Sequence, residues 1–220
     1  MNKEKLVIFD WGGVIESHKD GEYSYKIIYK NILKRIGVKE IPKDFLEKIY
    51  SCNYDENGVH IFAEDNNDKL NEYIKRIYNA FNLNCSKEDI ISFKQIYLDE
   101  FNKTYYYKDV SNIIKDISNY CYVGVLSNLI LLDEYRIRRQ IDFNDLDFIW
   151  LSFKMRMHKP KEEIFLKVLD ECKFNPKDIL FLDDSIDNLK IAHKLGFKTY
   201  LVNGYDFNNI KKTIDDFLKN

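Results

Sequence analysis

Four short polar clusters in this 220-residue chain each close, or closely follow, an apolar run. Asp10 ends the run 5–10 (KLVIFD) and is followed by Trp11-Gly12-Gly13; Ser127-Asn128 ends the run 120–127 (YCYVGVLS). Lys159-Pro160 lies in the basic stretch 154–161 (KMRMHKPK), and Asp183-Asp184-Ser185, with Asp187-Asn188 beyond it, follows ILFL at 179–182. Ligands of open parallel sheets collect at the carboxyl ends of strands, so the residues that close strands come first. A carboxylate beside glycines that admit a ligand to the backbone suits a nucleophile or a metal ligand, and an Asp that caps a turn is the plainer alternative for Asp10. Ser127 and Asn128 are small hydrogen-bonding side chains that also serve as ordinary turn or N-cap residues. Lys159 before Pro160, with Ile164, Phe165, Val168, Leu169 and Cys172 patterned as a helix, would set an ammonium at a positive helix end, an anion site; a solvated basic loop is the alternative. Adjacent carboxylates repel, and a divalent cation with oxygen ligands offsets that cost, whereas a merely acidic surface turn fits poorly behind ILFL. Together the four clusters serve transfer of a phosphoryl group to an aspartate. Mg²⁺ and Lys159 would neutralise the phosphate, Ser127 and backbone N–H groups would hold its oxygens, and water would hydrolyse the acyl phosphate.

Bringing these clusters to one edge requires strands that point the same way. Further apolar runs at 148–153 (FIWLSF) and 199–202 (TYLV) join the three above, and amphipathic segments separate them. Strands alternating with helices predict a parallel sheet covered on both faces. Residues 16–107 differ, because they contain no apolar strand run. Leu70, Tyr73, Ile74, Ile77, Tyr78 and Phe81 recur at helical spacing, and Ser86 to Asp89 has the form of a capping box opening a helix through Ile90, Ile96, Tyr97 and Phe101. This stretch holds 11 of the 16 tyrosines. The expectation is an α/β protein with an all-helical insertion directly after its first strand.

The composition is that of an ordinary globular domain and excludes other classes. The chain is 45% hydrophobic and 32% charged, with 34 basic and 36 acidic residues, so no basic field draws nucleic acid. The apolar run 120–127 is far short of the ~20 residues that span a bilayer, and the N-terminal Met-Asn-Lys-Glu-Lys carries no signal-peptide pattern, which predicts a cytoplasmic protein. Cys52, Cys85, Cys121 and Cys172 lack metal-ligand or disulfide spacing and read as reduced thiols.

With VIFDWGGVI at 7–15, VLSN at 125–128, HKPKEEIF at 158–165 and FLDDSIDNLKIAHKLG at 181–196, the chain resembles the haloacid dehalogenase superfamily of hydrolases over its whole length. The resemblance implies a Rossmann-like core of residues 1–15 and 108–220 with a helical cap at 16–107. It implies that Asp10 is the nucleophile and a Mg²⁺ ligand, Ser127 and Asn128 bind the phosphate end of the substrate, and Lys159 links nucleophile and phosphate. Asp184 and the Gly12 carbonyl would complete the metal site, with Asp183 and Asn188 supporting it from behind. Most phosphatases of the superfamily carry a second Asp two residues after the nucleophile, where this chain has Gly12. General acid–base help is typically worth ~10² to 10⁴-fold; here water, the substrate itself, Glu16 or His18 would have to supply the proton. The expected activity is a phosphatase of a small phosphorylated metabolite such as a sugar phosphate. Phosphonoacetaldehyde hydrolase-like or dehalogenase-like cleavage, whose enzymes also lack the second Asp, and a non-catalytic binding protein are the alternatives.

Overall fold

The computed structural model describes residues 3–17, 25–53, 67–138, 141–204 and 207–219. In chain order its elements are β1 (Leu6–Phe9), β2 (Glu16–Ser17), α1 (Tyr25–Arg35), α2 (Phe45–Ser51), α3 (Asn67–Ala80) and α4 (Lys87–Phe101). There follow β3 (Tyr105–Tyr106), α5 (Lys108–Ile117), β4 (Tyr122–Ser127), α6 (Leu131–Ile137), β5 (Phe148–Leu151) and α7 (Ser152–Met155). The chain ends with α8 (Glu162–Cys172), β6 (Ile179–Asp183), α9 (Ile186–Lys194), β7 (Lys198–Leu201) and α10 (Phe207–Lys219).

The five apolar runs form one parallel sheet in the order β5-β4-β1-β6-β7. Side chains of a strand alternate between faces, and β1 shows why its run is apolar throughout. Val7 and Phe9 enter one core with Ile113, Ile114 and Ile210 of α5 and α10, while Leu6 and Ile8 enter the other with Phe165 and Val168 of α8. All four β1 side chains are fully buried. The strand β5 is shorter than the run FIWLSF predicts, because the chain turns at Ser152. Its hydroxyl accepts from the Leu129 N–H (3.1 Å) and donates to the Leu129 carbonyl (3.0 Å), pinning α7 to the loop after β4.

Between β2 and β3 the regular elements among the described residues are all helices. The expected face of α3 is buried at Leu70, Tyr73, Ile74, Ile77 and Tyr78. The expected capping box opens α4: Ser86 Oγ accepts from Asp89 N (3.1 Å) and Asp89 Oδ2 accepts from Ser86 N (2.8 Å). These helices share a core of their own, which also takes in Ile130 and Leu132 from the loop and helix after β4. The outgoing and returning connections are paired as β2 and β3, and Tyr107 N donates to the Ile15 carbonyl (3.0 Å). Two-residue strands carry no periodicity, so this pairing has no sequence signature. Among the described residues no helix is long and apolar enough to cross a membrane, and all four cysteines are free thiols.

Because Leu132 is buried in the helical core rather than beside the sheet, Leu132→Ala is expected to lower stability by about 2–4 kcal/mol in urea unfolding.

Candidate active site

Asp10 leaves β1 at its carboxyl end. Its N–H still donates to the Leu182 carbonyl of β6 (2.8 Å), which holds it at the level of the sheet edge. Asp10 Oδ1 then accepts from the next backbone amide, Trp11 N (2.7 Å), and lies 2.9 Å from Lys159 Nζ. Lys159 Nζ also donates to Asp183 Oδ2 at 2.6 Å, and both of these side chains are almost wholly withdrawn from solvent. Asp183 is satisfied on every side: Oδ1 accepts from Ser185 N (2.7 Å) and Asn188 Nδ2 (3.0 Å), and Oδ2 accepts from Asn188 Nδ2 (2.9 Å) as well as from Lys159. Asn188 sits in the first turn of α9, so the start of that helix is fastened to the carboxylate that closes β6.

Lys159 does not stand at a helix end as its place before Pro160 suggested. α8 begins at Glu162 after an N-cap at Lys161, which leaves Pro160 outside the first turn. Two buried carboxylates attract the ammonium more strongly than the partial charge of a helix terminus. Of the basic stretch only Lys159 is buried; Lys154 pairs with Glu134 (2.6 Å) on the outside. Asn128 sets the backbone at this point, donating to the Lys159 carbonyl (2.8 Å) and accepting from Lys159 N (2.8 Å). Both functions of its amide are thus taken up by Lys159. Ser127 ends β4, buried, at the wall of the same cleft.

The loop after Asp10 brings Asp184 against the chain. Gly13 has φ +76°, and its N–H donates to the Glu16 carbonyl (2.7 Å), closing a tight turn. A Cβ on Gly13 would lie 2.8 Å from Cβ of Asp184, nearer than real side chains approach. Gly12 lines the cleft with its backbone. Carboxylate oxygens of Asp10, Asp183 and Asp184 lie within 4.8 Å of one another. Burial, reinforced by Asp183 and Asp184 against the opposing pull of Lys159, pushes the Asp10 carboxyl up to about 7. Burial and then Asp183 likewise push Asp184, which solvent still reaches, up to about 6. Burial opposes the charge on Lys159, but Asp10 and Asp183 outweigh it and hold the ammonium above its usual range. Three crowded carboxylates with hard oxygen donors and one lysine fit a divalent cation.

The eight residues expected to bind metal or substrate therefore fall at one sheet edge: Asp10, Gly12, Ser127, Asn128, Lys159, Asp184 and Asn188 line the cleft, and Asp183, outside its lining, pairs with Lys159. The cleft has a volume of about 610 Å³. Glu16 is fully buried and is not among its lining residues; His18 lies outside the described residues. From the helical side come Lys26, Tyr29, Tyr50, Asn53 and Tyr97, and Asp133 approaches from α6. None of these has a sequence signature, since each falls in a helix or helix end and only the packing turns it toward the cleft.

A family model described as haloacid dehalogenase-like hydrolase matches residues 7–202. Among curated proteins, the bifunctional epoxide hydrolase 2 of Rattus norvegicus is 43% identical over 56 residues, 26% of this chain and 10% of that protein. The D-ribitol-5-phosphate phosphatase of Bacteroides thetaiotaomicron is 35% identical over 54 residues, 24% of this chain and 26% of that protein. The matched stretch thus spans about a tenth of the epoxide hydrolase and about a quarter of the phosphatase. Among solved structures, a protein from Porphyromonas gingivalis described as a predicted HAD-like family hydrolase superposes with TM-score 0.72 at 20% identity over 100% of both chains. A HAD family enzyme from Bacteroides thetaiotaomicron, solved in complex with magnesium and inorganic phosphate, gives TM-score 0.67 at 21% identity over 94% of this chain and 98% of that one. At these identities the superpositions speak for the fold.

Gly13→Ala forces a side chain into both a left-handed backbone and Asp184; it is expected to cost about 1–3 kcal/mol in urea unfolding and to weaken Mg²⁺ binding at least tenfold by calorimetry. Lys159→Met leaves two carboxylates without their cation and is expected to lower stability at neutral pH by about 3–5 kcal/mol, measured the same way.

Proposed function

The chain belongs to the haloacid dehalogenase-like hydrolases, and from that premise we propose that it is a Mg²⁺-dependent phosphatase of small phosphomonoesters, with Asp10 as its nucleophile. The observation that carries this reading is the Asp10–Lys159 pair set into a cluster of three carboxylates at the cleft. The relative solved with magnesium and inorganic phosphate, and the curated D-ribitol-5-phosphate phosphatase, support the same chemistry.

Asp10, Asp184 and the Gly12 carbonyl would hold the cation, with Asp183 and Asn188 bracing them. When bound, Mg²⁺ supplies charge neutralisation for a phosphate dianion among carboxylates. The chain's own residues do the rest. Trp11 N–H and Lys159 hold Asp10 Oδ1, which leaves Oδ2 to form the bond to phosphorus while the bond to the leaving oxygen breaks. Ser127 and the backbone amides of the loop after β1 hold the phosphoryl oxygens, and Lys159 takes up charge as it shifts from carboxylate to phosphate. Gly12 offers no side chain and Glu16 is buried away from the cleft lining, so of the candidates that the described residues place, water gives the leaving oxygen its proton. A second water then cleaves the aspartyl phosphate, releasing inorganic phosphate and restoring Asp10. Residues 16–107 serve as a cap over a core of 1–15 and 108–220, with the paired β2 and β3 as the two connections through which it would open and close. A dehalogenase would have no use for Asp184, which, unlike Asp10 and Asp183, makes no ion pair with Lys159.

Turnover of p-nitrophenyl phosphate is expected to need Mg²⁺, to stop with EDTA and to fall by at least on the order of 10³-fold in Asp10→Asn. Absence of any turnover across a broad phosphoester panel with Mg²⁺ present would sink the proposal.

A further inference from the structure

Phosphoryl transfer uses Asp10, Ser127, Lys159 and Asp184, but it leaves unexplained the polar groups that the helical side sets into the same cleft. We propose that Lys26, with Tyr50 and Asn53 beside it in the cleft wall, recognises a second anionic group on the substrate. The enzyme then prefers phosphomonoesters whose organic part is itself charged, through a carboxylate or another phosphate, over neutral polyol or sugar monophosphates. This inference rests on the phosphatase reading above.

Charge balance is the first ground. The cleft is lined by two lysines and no arginine among the described residues. Lys159 is taken up by Asp10 and Asp183. Lys26 has no hydrogen bond, ion pair or ring contact to any described residue, whereas Lys30, one turn further along α1, lies over the Phe45 ring at 5.8 Å. Of the three acids that line the cleft, Asp10 and Asp184 belong to the Lys159 cluster, and the Asp133 carboxylate accepts from Tyr97 Oη at 3.3 Å to each oxygen and from Ile130 N at 3.0 Å. Lys26 therefore lines the cleft as a cation without a counter-ion among the described residues.

Its position in α1 is the second ground. The first turn of this helix carries no acidic residue, and its last turn carries Lys34 and Arg35, as the helix dipole favours. Lys26, at the positive end, runs against that preference. An anion beside Lys26 would meet the ammonium and also lie at the end of α1 that the helix dipole makes favourable for negative charge. Two neutral groups complete the wall. Tyr50 has no partner for its hydroxyl among the described residues and is 51% exposed, and Asn53 Oδ1 is shielded from solvent without a hydrogen bond. Unmet acceptor and hydroxyl functions of this kind suit the hydroxyl groups of a substrate whose charged end meets Lys26.

Two matched pairs test this: 6-phosphogluconate against glucitol 6-phosphate for the carboxylate, and fructose 1,6-bisphosphate against fructose 6-phosphate for the phosphate. Binding is measured by calorimetry with Mg²⁺ on Asp10→Asn protein, which separates affinity from turnover, and kcat/KM is measured on the unaltered enzyme. The charged member of at least one pair is expected to bind on the order of tenfold more tightly, the effect of one charge-assisted hydrogen bond, and the pair that shows it identifies the group. The ratio should fall to about one in Lys26→Met, invert in Lys26→Glu and persist in Lys26→Arg, with unchanged melting temperatures confirming that the variants are folded. Equal or tighter binding of the neutral members, or a preference that survives Lys26→Met, overturns this inference alone. No binding of any member, together with no turnover, overturns the phosphatase reading and this inference with it.

Discussion

The ammonium of Lys159, held between Asp10 and Asp183 at 2.9 and 2.6 Å, is the interaction on which the rest of the site depends. It joins the ends of β1 and β6 to the loop that precedes α8, three segments far apart in the chain. Removing such charges from water costs several kcal/mol per ion, and their attraction repays this only where every remaining donor and acceptor is also satisfied. The surroundings meet that condition for Asp183, through Ser185 and Asn188, and for the Lys159 backbone, through Asn128. They do not meet it fully for Asp10 and Asp184, whose carboxyls are pushed toward neutrality. A well-packed apolar cluster would be at least as stable here, so the arrangement is explained by chemistry rather than by folding.

A charge count sharpens this. Asp10, Asp183 and Asp184 face one lysine, which leaves two negative charges among oxygens within 4.8 Å. A single divalent cation cancels that excess. The fold supplies the required closeness by a steric device rather than an attractive one: Gly13 lets the loop after β1 pass against Asp184 where any side chain would collide. Attraction at Lys159 and permissiveness at Gly13 together bring three mutually repelling groups to one place.

Much of this was legible in the sequence. Five apolar runs marked five strands, because parallel strands buried on both faces must be apolar throughout, and the helical face of α3 and the capping box of α4 followed from spacing alone. The four polar clusters lay at one sheet edge because strand ends and ligand sites coincide in this architecture. What stayed hidden was governed by long-range contacts. The pairing of Asp183 with Lys159 spans 24 residues, so the two adjacent aspartates read as one cation-binding pair, although only Asp184 is left in need of a cation. The early end of β5 depends on Ser152 meeting Leu129, and the β2–β3 pairing is too short to show a period. The cleft wall from the helical side, including Lys26, is set by how α1 and α2 pack rather than by any local pattern.

The same long-range packing ties the helical side to the phosphate end of the cleft. The segment after Ser127 and Asn128 is held from two directions: Leu129 is bound to Ser152 beside the sheet, while Ile130 and Leu132 are buried among the helices. Tyr97 of α4 reaches across to Asp133 within this segment. Any displacement of the helices relative to the sheet must therefore break a buried tyrosine–carboxylate contact and expose two aliphatic side chains, or else draw the 129–133 segment with it. The first course leaves a buried carboxylate short of a donor, which is costly. The second pulls on the residues next to Ser127 and on Asn128, whose amide fixes the Lys159 backbone. Position of the helical side and alignment of the Lys159 ammonium are thus mechanically linked through six residues of chain.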